Sequence, residues 1–121
     1  MQIVKMKEVP EKTANIPLFT GGLVTYQPLI TKRMGKDFNM LMVNFSKGAR
    51  NKFHCHASDQ ILIVTAGQGI VATETEQKMI ESGDIVFIPA NEKHWHGAAM
   101  DSSLSHIALE LTSSELTQLE D

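Results

Sequence analysis

Two stretches decide how this chain reads: GARNKFHCHASDQILIVTAG, residues 48–67, and GDIVFIPANEKHWH, residues 83–96. Each couples a short apolar run to a His-x-His pair, and glycines punctuate both. Side chains alternate along a strand, so His54 and His56 share one face, as do His94 and His96. The chain has five histidines, and four of them fall in these two pairs. Imidazole suits zinc, copper, iron and nickel, and mixed nitrogen and oxygen sites also take manganese. Two such pairs predict a metal site. Phe53, Cys55 and Trp95 occupy the alternate positions, so the opposite face needs cover as well, which argues against a wet surface strand.

Working outward, the runs at residues 61–64 and 85–88 are too short for buried helices and too apolar for half-exposed strands. Residues 37–45 alternate with apolar side chains on both faces, as in a strand covered on two sides. Residues 23–28 form a further strand, held to an edge or terminus by Pro28. Residues 2–9 alternate loosely and fit an edge strand, residues 9–17 are loop, and residues 74–77 form a hairpin tip. Strand signals at short, regular spacing between Gly, Pro, Asn and Asp indicate an all-β sandwich or barrel. Only the end reads as helical: Ser113 can cap a short helix over residues 113–119, with Leu116 and Leu119 on one side.

Composition narrows the function classes. With 121 residues the natural reading is one domain, 1–121. Hydrophobic residues make up 42% and charged residues 21%, and the formal net charge is −3. No basic stripe is present, so nucleic acid is not an expected partner. No run approaches the roughly 18 apolar residues that span a bilayer, and the N-terminus lacks a signal-peptide pattern, so no membrane is expected either. One cysteine excludes an internal disulfide. The cytoplasm is the default location.

The motif spacing resembles the cupin family. Gly48, His54, His56, Gln60 and Gly67 fall on the first cupin motif, with Gln60 where glutamate is usual. Gly83, Pro89 and His94 fall on the second, with Asn91 in place of glycine and Ala98 in place of asparagine. Phe19-Thr-Gly21, residues 92–99 and Ser105-His106 look more narrowly like small bacterial cupins that include manganese-dependent hydroxynitrile lyases. This covers about residues 18–111. The resemblance implies a double-stranded β-helix, the cupin jelly-roll barrel, here with a short C-terminal helix. It implies one divalent transition metal ion per chain on His54, His56, His94 and Gln60, with manganese favoured over iron, nickel, zinc or cobalt. Glutamine also serves as fourth protein ligand in those lyases.

Three imidazoles and an amide leave the ion's charge uncompensated, which makes it a stronger Lewis acid. Gln60 cannot titrate, so proton transfer falls to another group, and histidine is the side chain poised near neutrality. His96 shares the face of His94, and His106 lies on a late strand; both are candidate catalytic residues, and the matching positions line the active site of the resembling lyases. Glu110 shares the parity of His106, without an assigned role. Lys52 shares the parity of His54 and is a candidate for the cavity mouth, with Arg50 supporting the loop. The function that the resemblance implies is a metal-dependent lyase cleaving a carbon bond beside the hydroxyl of a small-molecule alcohol; the residues alone give a metal and bases in an apolar barrel. The alternatives are a quercetinase-like dioxygenase and a non-catalytic small-molecule or metal-binding module. If His106 faces the cavity, Ile107, Leu109 and Leu111 face outward, and with residues 61–64 they form an apolar patch that predicts a homodimer.

Overall fold

The computed structural model describes residues 1–121, and the longest strand in it carries the organisation. After a 3-10 turn at Met6–Glu8, the strands are β1 (Lys12–Thr13), β2 (Phe19–Thr20), β3 (Val24–Ile30), β4 (Phe38–Phe45), β5 (Arg50–Asn51), β6 (His54–His56), β7 (Gln60–Ala72), β8 (Gln77–Glu81), β9 (Ile85–Ile88), β10 (Trp95–Ala98), β11 (Leu104–Leu111) and β12 (Leu116–Gln118). Strand β7 belongs to two sheets. Its first half pairs with β11 and β9, and its second half with β10 and β8, all antiparallel. One sheet therefore runs β1-β3-β4-β11-β7 with β9 beyond, and the other runs β8-β7-β10 and on to β5 and β2.

The bend that lets β7 change sheets is visible at Gly67. Its φ of 77° is in the left-handed region, and a Cβ there would collide with the carbonyl of Ser103. The β11–β7 register shifts between Ser105 and His106, a bulge that adds twist where the barrel turns. Asn91 adopts φ 68°, the only non-glycine residue at positive φ. Its short polar side chain tolerates that conformation, so the position where cupins usually carry glycine keeps its turn.

The main core, with Val24, Val43, Phe45, Val64, Ile80 and Leu104, fills one end of the barrel between the sheets. Each such side chain contributes roughly 1.5–3 kcal/mol on burial. A second cluster of Leu29, Met42 and Ile107 lies on the other face of the β4–β11 sheet, with Val4 and Val9 packed over it. The architecture is the all-β jelly-roll barrel expected.

Three expectations fail. Residues 9–17 are not all loop, since Lys12–Thr13 pair with Tyr26 and Thr25 of β3. Residues 113–119 form no helix: Leu116, Thr117 and Gln118 pair as β12 with His56, Cys55 and His54. Strand β6 has an open edge at that point, and its ladder bonds outweigh one capped turn too short to be stable alone. Residues 2–9 form no strand either. Their apolar side chains Val4 and Val9 serve as a cover for the outer cluster rather than as part of a ladder. Pro28 lies inside β3, in the part that extends past the two-residue partner β1, where a missing N–H leaves no ladder bond unmade.

Candidate metal centre

The two His-x-His stretches are tied to each other by backbone. His54 and His94 exchange N–H···O bonds of 3.0 Å in both directions, an isolated bridge that sets the two histidines side by side. Their ring centroids are 4.3 Å apart, with His56 at 5.1 Å from His54 and 5.8 Å from His94. One ring nitrogen of each lies within 4.8 Å of the others, and all three residues are buried. Gln60, the first residue of β7, is buried and lines the same cavity as His54 and His56.

The hydrogen bonds orient the rings. His54 Nδ1–H donates to Lys52 O (2.7 Å), and His94 Nδ1–H donates to Glu92 O (2.8 Å), so each carries its free lone pair on Nε2. Burial pushes His54 from the ordinary 6.5 down to about 3, reinforced by neighbouring His94 and opposed by the Lys52 carbonyl. Burial also lowers His94, against the pull of the Glu92 carbonyl. Both imidazoles are neutral, the form that ligates a metal. His94 Nε2, Gln60 Oε1 and His56 Nε2 are buried without a hydrogen-bond partner. An orphaned buried polar atom costs about 1–3 kcal/mol, and three in one place mark a missing ligand. A divalent cation fits that donor set; His54, His56 and His94 can hold it, and Gln60 supplies an amide oxygen beside them.

His96 and His106 line the same cavity, both buried, with His106 Nε2 and His96 Nδ1 3.0 Å apart. Burial, then the neighbouring His106, holds His96 well below its usual range, and burial brings His106 down to about 4. Asn51 packs against the pair. Its Oδ1 accepts the His96 backbone N–H (2.8 Å), which turns its Nδ2 toward the ring, 3.1 Å from Nε2 and 3.5 Å from Nδ1. The 3.0 Å contact between His96 Nδ1 and His106 Nε2 needs one proton, carried by one of the two nitrogens. Phe45 packs edge-on against His96 and at a tilt against His106.

By parity with His54, Lys52 is a candidate for the cavity mouth and Asn51 is passed over; the structure puts Asn51 in the wall and Lys52 outside it. The ladder is broken between β5 and β6, so alternation slips by one at residues 52–53: Asn51 is buried in the cavity wall, while Lys52 is absent from it. Arg50 turns outward, its guanidinium 4.2 Å over the Trp95 ring and 2.6 Å from Glu120. Glu120 also accepts the Phe53 N–H at 2.8 Å, which pins the chain next to β6.

The cavity has a volume of about 490 Å³. Leu18, Phe19, Tyr26, Leu41, Val43 and Phe45 supply much of its wall, and neither lysine nor arginine lines it. Glu110 on β11 is its one acid, with Oε2 2.7 Å from His56 Nδ1.

A curled double-sheet barrel with buried histidines facing one apolar cavity defines the class. The chain belongs to the cupin family, whose Cupin domain matches residues 41–109. It is 44% identical over 69 residues to an (R)-mandelonitrile lyase of Granulicella tundricola, a match covering 56% of this chain and 53% of that one. A pectin degradation protein KdgF of Dickeya dadantii is 39% identical over 59 residues, covering 48% of this chain and 54% of that one. The chain thus spans about half the length of these curated relatives. Among solved structures, a cupin-like protein of Thermotoga maritima superposes with a TM-score of 0.84 at 34% identity, covering 90% of this chain and 84% of that one. The polyketide cyclase RemF of Streptomyces resistomycificus shares the fold at TM-score 0.87 and 16% identity, covering 98% of this chain and 85% of that one. No helix is long and apolar enough to cross a membrane.

Proposed function

We propose that this protein is a metal-dependent lyase that breaks a carbon bond beside the hydroxyl of a small, neutral, apolar alcohol, a cyanohydrin being the model substrate. The observation that carries this reading is the cavity wall. It is apolar and offers no lysine or arginine to a carboxylate or phosphate, while His96 and His106 line it as unprotonated imidazoles free to accept a proton. The similarity to an (R)-mandelonitrile lyase supports the same chemistry.

A divalent ion on His54, His56, His94 and Gln60, with manganese the first choice, would supply Lewis acidity toward the substrate oxygen. The rest falls to the chain. His96 Nε2, the nitrogen capped by the Asn51 amide, is the acceptor for the hydroxyl proton once substrate displaces that amide. As it gains that proton, His96 passes its Nδ1 proton to His106 Nε2 across 3.0 Å. The O–H electron pair becomes the new carbonyl bond, and the carbon–carbon pair leaves with the cyanide. Return of the proton from the histidine pair gives neutral hydrogen cyanide. General-base steps of this kind contribute typically about 10²–10⁴-fold. The aromatic and aliphatic wall holds the apolar side of the substrate and excludes water.

Mandelonitrile cleavage by manganese-loaded protein tests this directly. A rate well above that of the metal-free protein is expected, together with a loss of about 10²–10⁴-fold in His96→Ala with metal content unchanged. A loaded protein no faster than the metal-free one rejects the cyanohydrin reaction. An oxidative reading draws on the 34% identity over 53 residues to an acireductone dioxygenase of Parasynechococcus marenigrum, 38% of this chain and 28% of that one. Oxygen consumption with enediol or flavonol substrates separates the two.

A further inference from the structure

We propose that Glu110 is the anionic member of the metal centre, a carboxylate carried on β11 in place of the one absent at position 60. Three observations converge on it. First, the Glu110 carboxylate lies inside the barrel with its side chain only 14% exposed, and it lines the same cavity as His54, His56 and Gln60. A carboxylate that far out of water needs a counter-charge or several hydrogen bonds; none of the cavity's lining residues is a lysine or arginine, and His56 beside it can supply the charge only by taking a proton, which competes with ligating a metal. A cation held in the cavity supplies the charge it lacks.

Second, its oxygen meets a ligand and not a wall. Glu110 Oε2 is 2.7 Å from His56 Nδ1, yet His56 has no aligned hydrogen-bond partner at either ring nitrogen. The carboxylate therefore stands beside the ring nitrogen, off the N–H direction. Third, the other two histidines have their Nδ1 atoms secured by the carbonyls of Lys52 and Glu92, two residues before each. His56 has no such carbonyl. The group nearest its Nδ1 comes instead from the opposite strand, and it is charged. Partners that hold metal-binding histidines commonly tune both ring orientation and ligand basicity.

The consequence is electrostatic. Three imidazoles and an amide leave a divalent ion with its full charge, and Glu110 returns one negative unit to the site. That matches the formal balance of a site with glutamate at position 60. The inference rests on the metal centre and is independent of the lyase reaction.

Metal-free wild type, E110Q and E110A are titrated with Mn(II), read by the EPR signal of the free ion, and with Zn(II) against a chromophoric chelator. Both variants should lose about 10–100-fold in affinity for each ion. Gln60→Glu should restore most of that loss in the E110Q background and gain much less in the unmutated chain, because one carboxylate already serves the site. Far-UV spectra and thermal melts of the metal-free proteins report folding, and E110Q should melt no lower than wild type once its unpaired charge is gone. Affinity in E110Q within about twofold of wild type, the ordinary scatter for uncoupled sites, overturns the inference, as does an equal gain from Gln60→Glu in both backgrounds. Wild type that binds neither ion overturns the metal centre itself, a result distinct from the other two.

Discussion

At the scale of single residues, the site stores its chemistry as neutral imidazoles. Burial is the first cause for two of them: His54 is held down to about 3 and His106 to about 4, against an ordinary 6.5. The folded state thus binds fewer protons than the unfolded chain once pH falls below about 6.5. Stability then decreases as pH drops through that window, and it is flat above it. His106 alone accounts for roughly 3 kcal/mol between pH 6.5 and pH 4. Melting temperatures of metal-free protein should be level from pH 8 to pH 7 and fall steadily toward pH 4. A profile that is level down to pH 4 would contradict the buried, neutral assignment. The two histidine pairs are legible in sequence because spacing alone fixes a shared face. Asn51 was not, since the break between β5 and β6 shifts alternation by one residue and nothing local announces it.

At the scale of elements, β7 and β12 determine whether the ligands meet. Strand β7 crosses between sheets at Gly67, where positive φ and the Ser103 carbonyl both exclude a side chain. Gly83 also has positive φ, 96°, but open space around it. Gly83→Ala should therefore cost strain alone, about 1–2 kcal/mol, while Gly67→Ala should cost clearly more, because strand β11 must also move. Urea midpoints of the two variants check the order; equal shifts would remove Gly67 from its role at the crossing. Strand β12 seals the outer edge of β6, and Glu120 beyond it holds the Phe53 N–H and Arg50. Serine followed by leucines three apart looks helical in isolation. It becomes a strand because an unpaired edge lies next to it, a tertiary fact without a local signal.

At the scale of the whole molecule, the outer face of the β9-β7-β11-β4 sheet carries two apolar rows. Phe87, Ile61, Leu109 and Met40 pair across it in one row, and Ile85, Ile63, Ile107 and Met42 in the next. The chain's own N-terminal segment covers Ile107 and Met42 through Val4 and Val9. Ile85, Phe87, Leu111 and Phe38 stay exposed. A second copy of the chain is the expected cover, since a patch of this kind is uncommon on a monomer. Light scattering behind size exclusion should give twice the 13.4 kDa chain mass at micromolar protein. Phe87→Glu should then return it to one, whereas a monomeric wild type removes the dimer.

Legible in the residues alone were the strand class, the two histidine pairs and the turns that glycine and Asn91 make, because these depend on alternation and on backbone sterics within a few residues. The packing of strands added that Asn51 holds the His96 backbone N–H, that Glu110 stands against His56, and that residues 116–118 pair as a strand with β6. Each of those depends on which strand lies opposite, and partners so far apart in the chain are chosen by closure of the barrel.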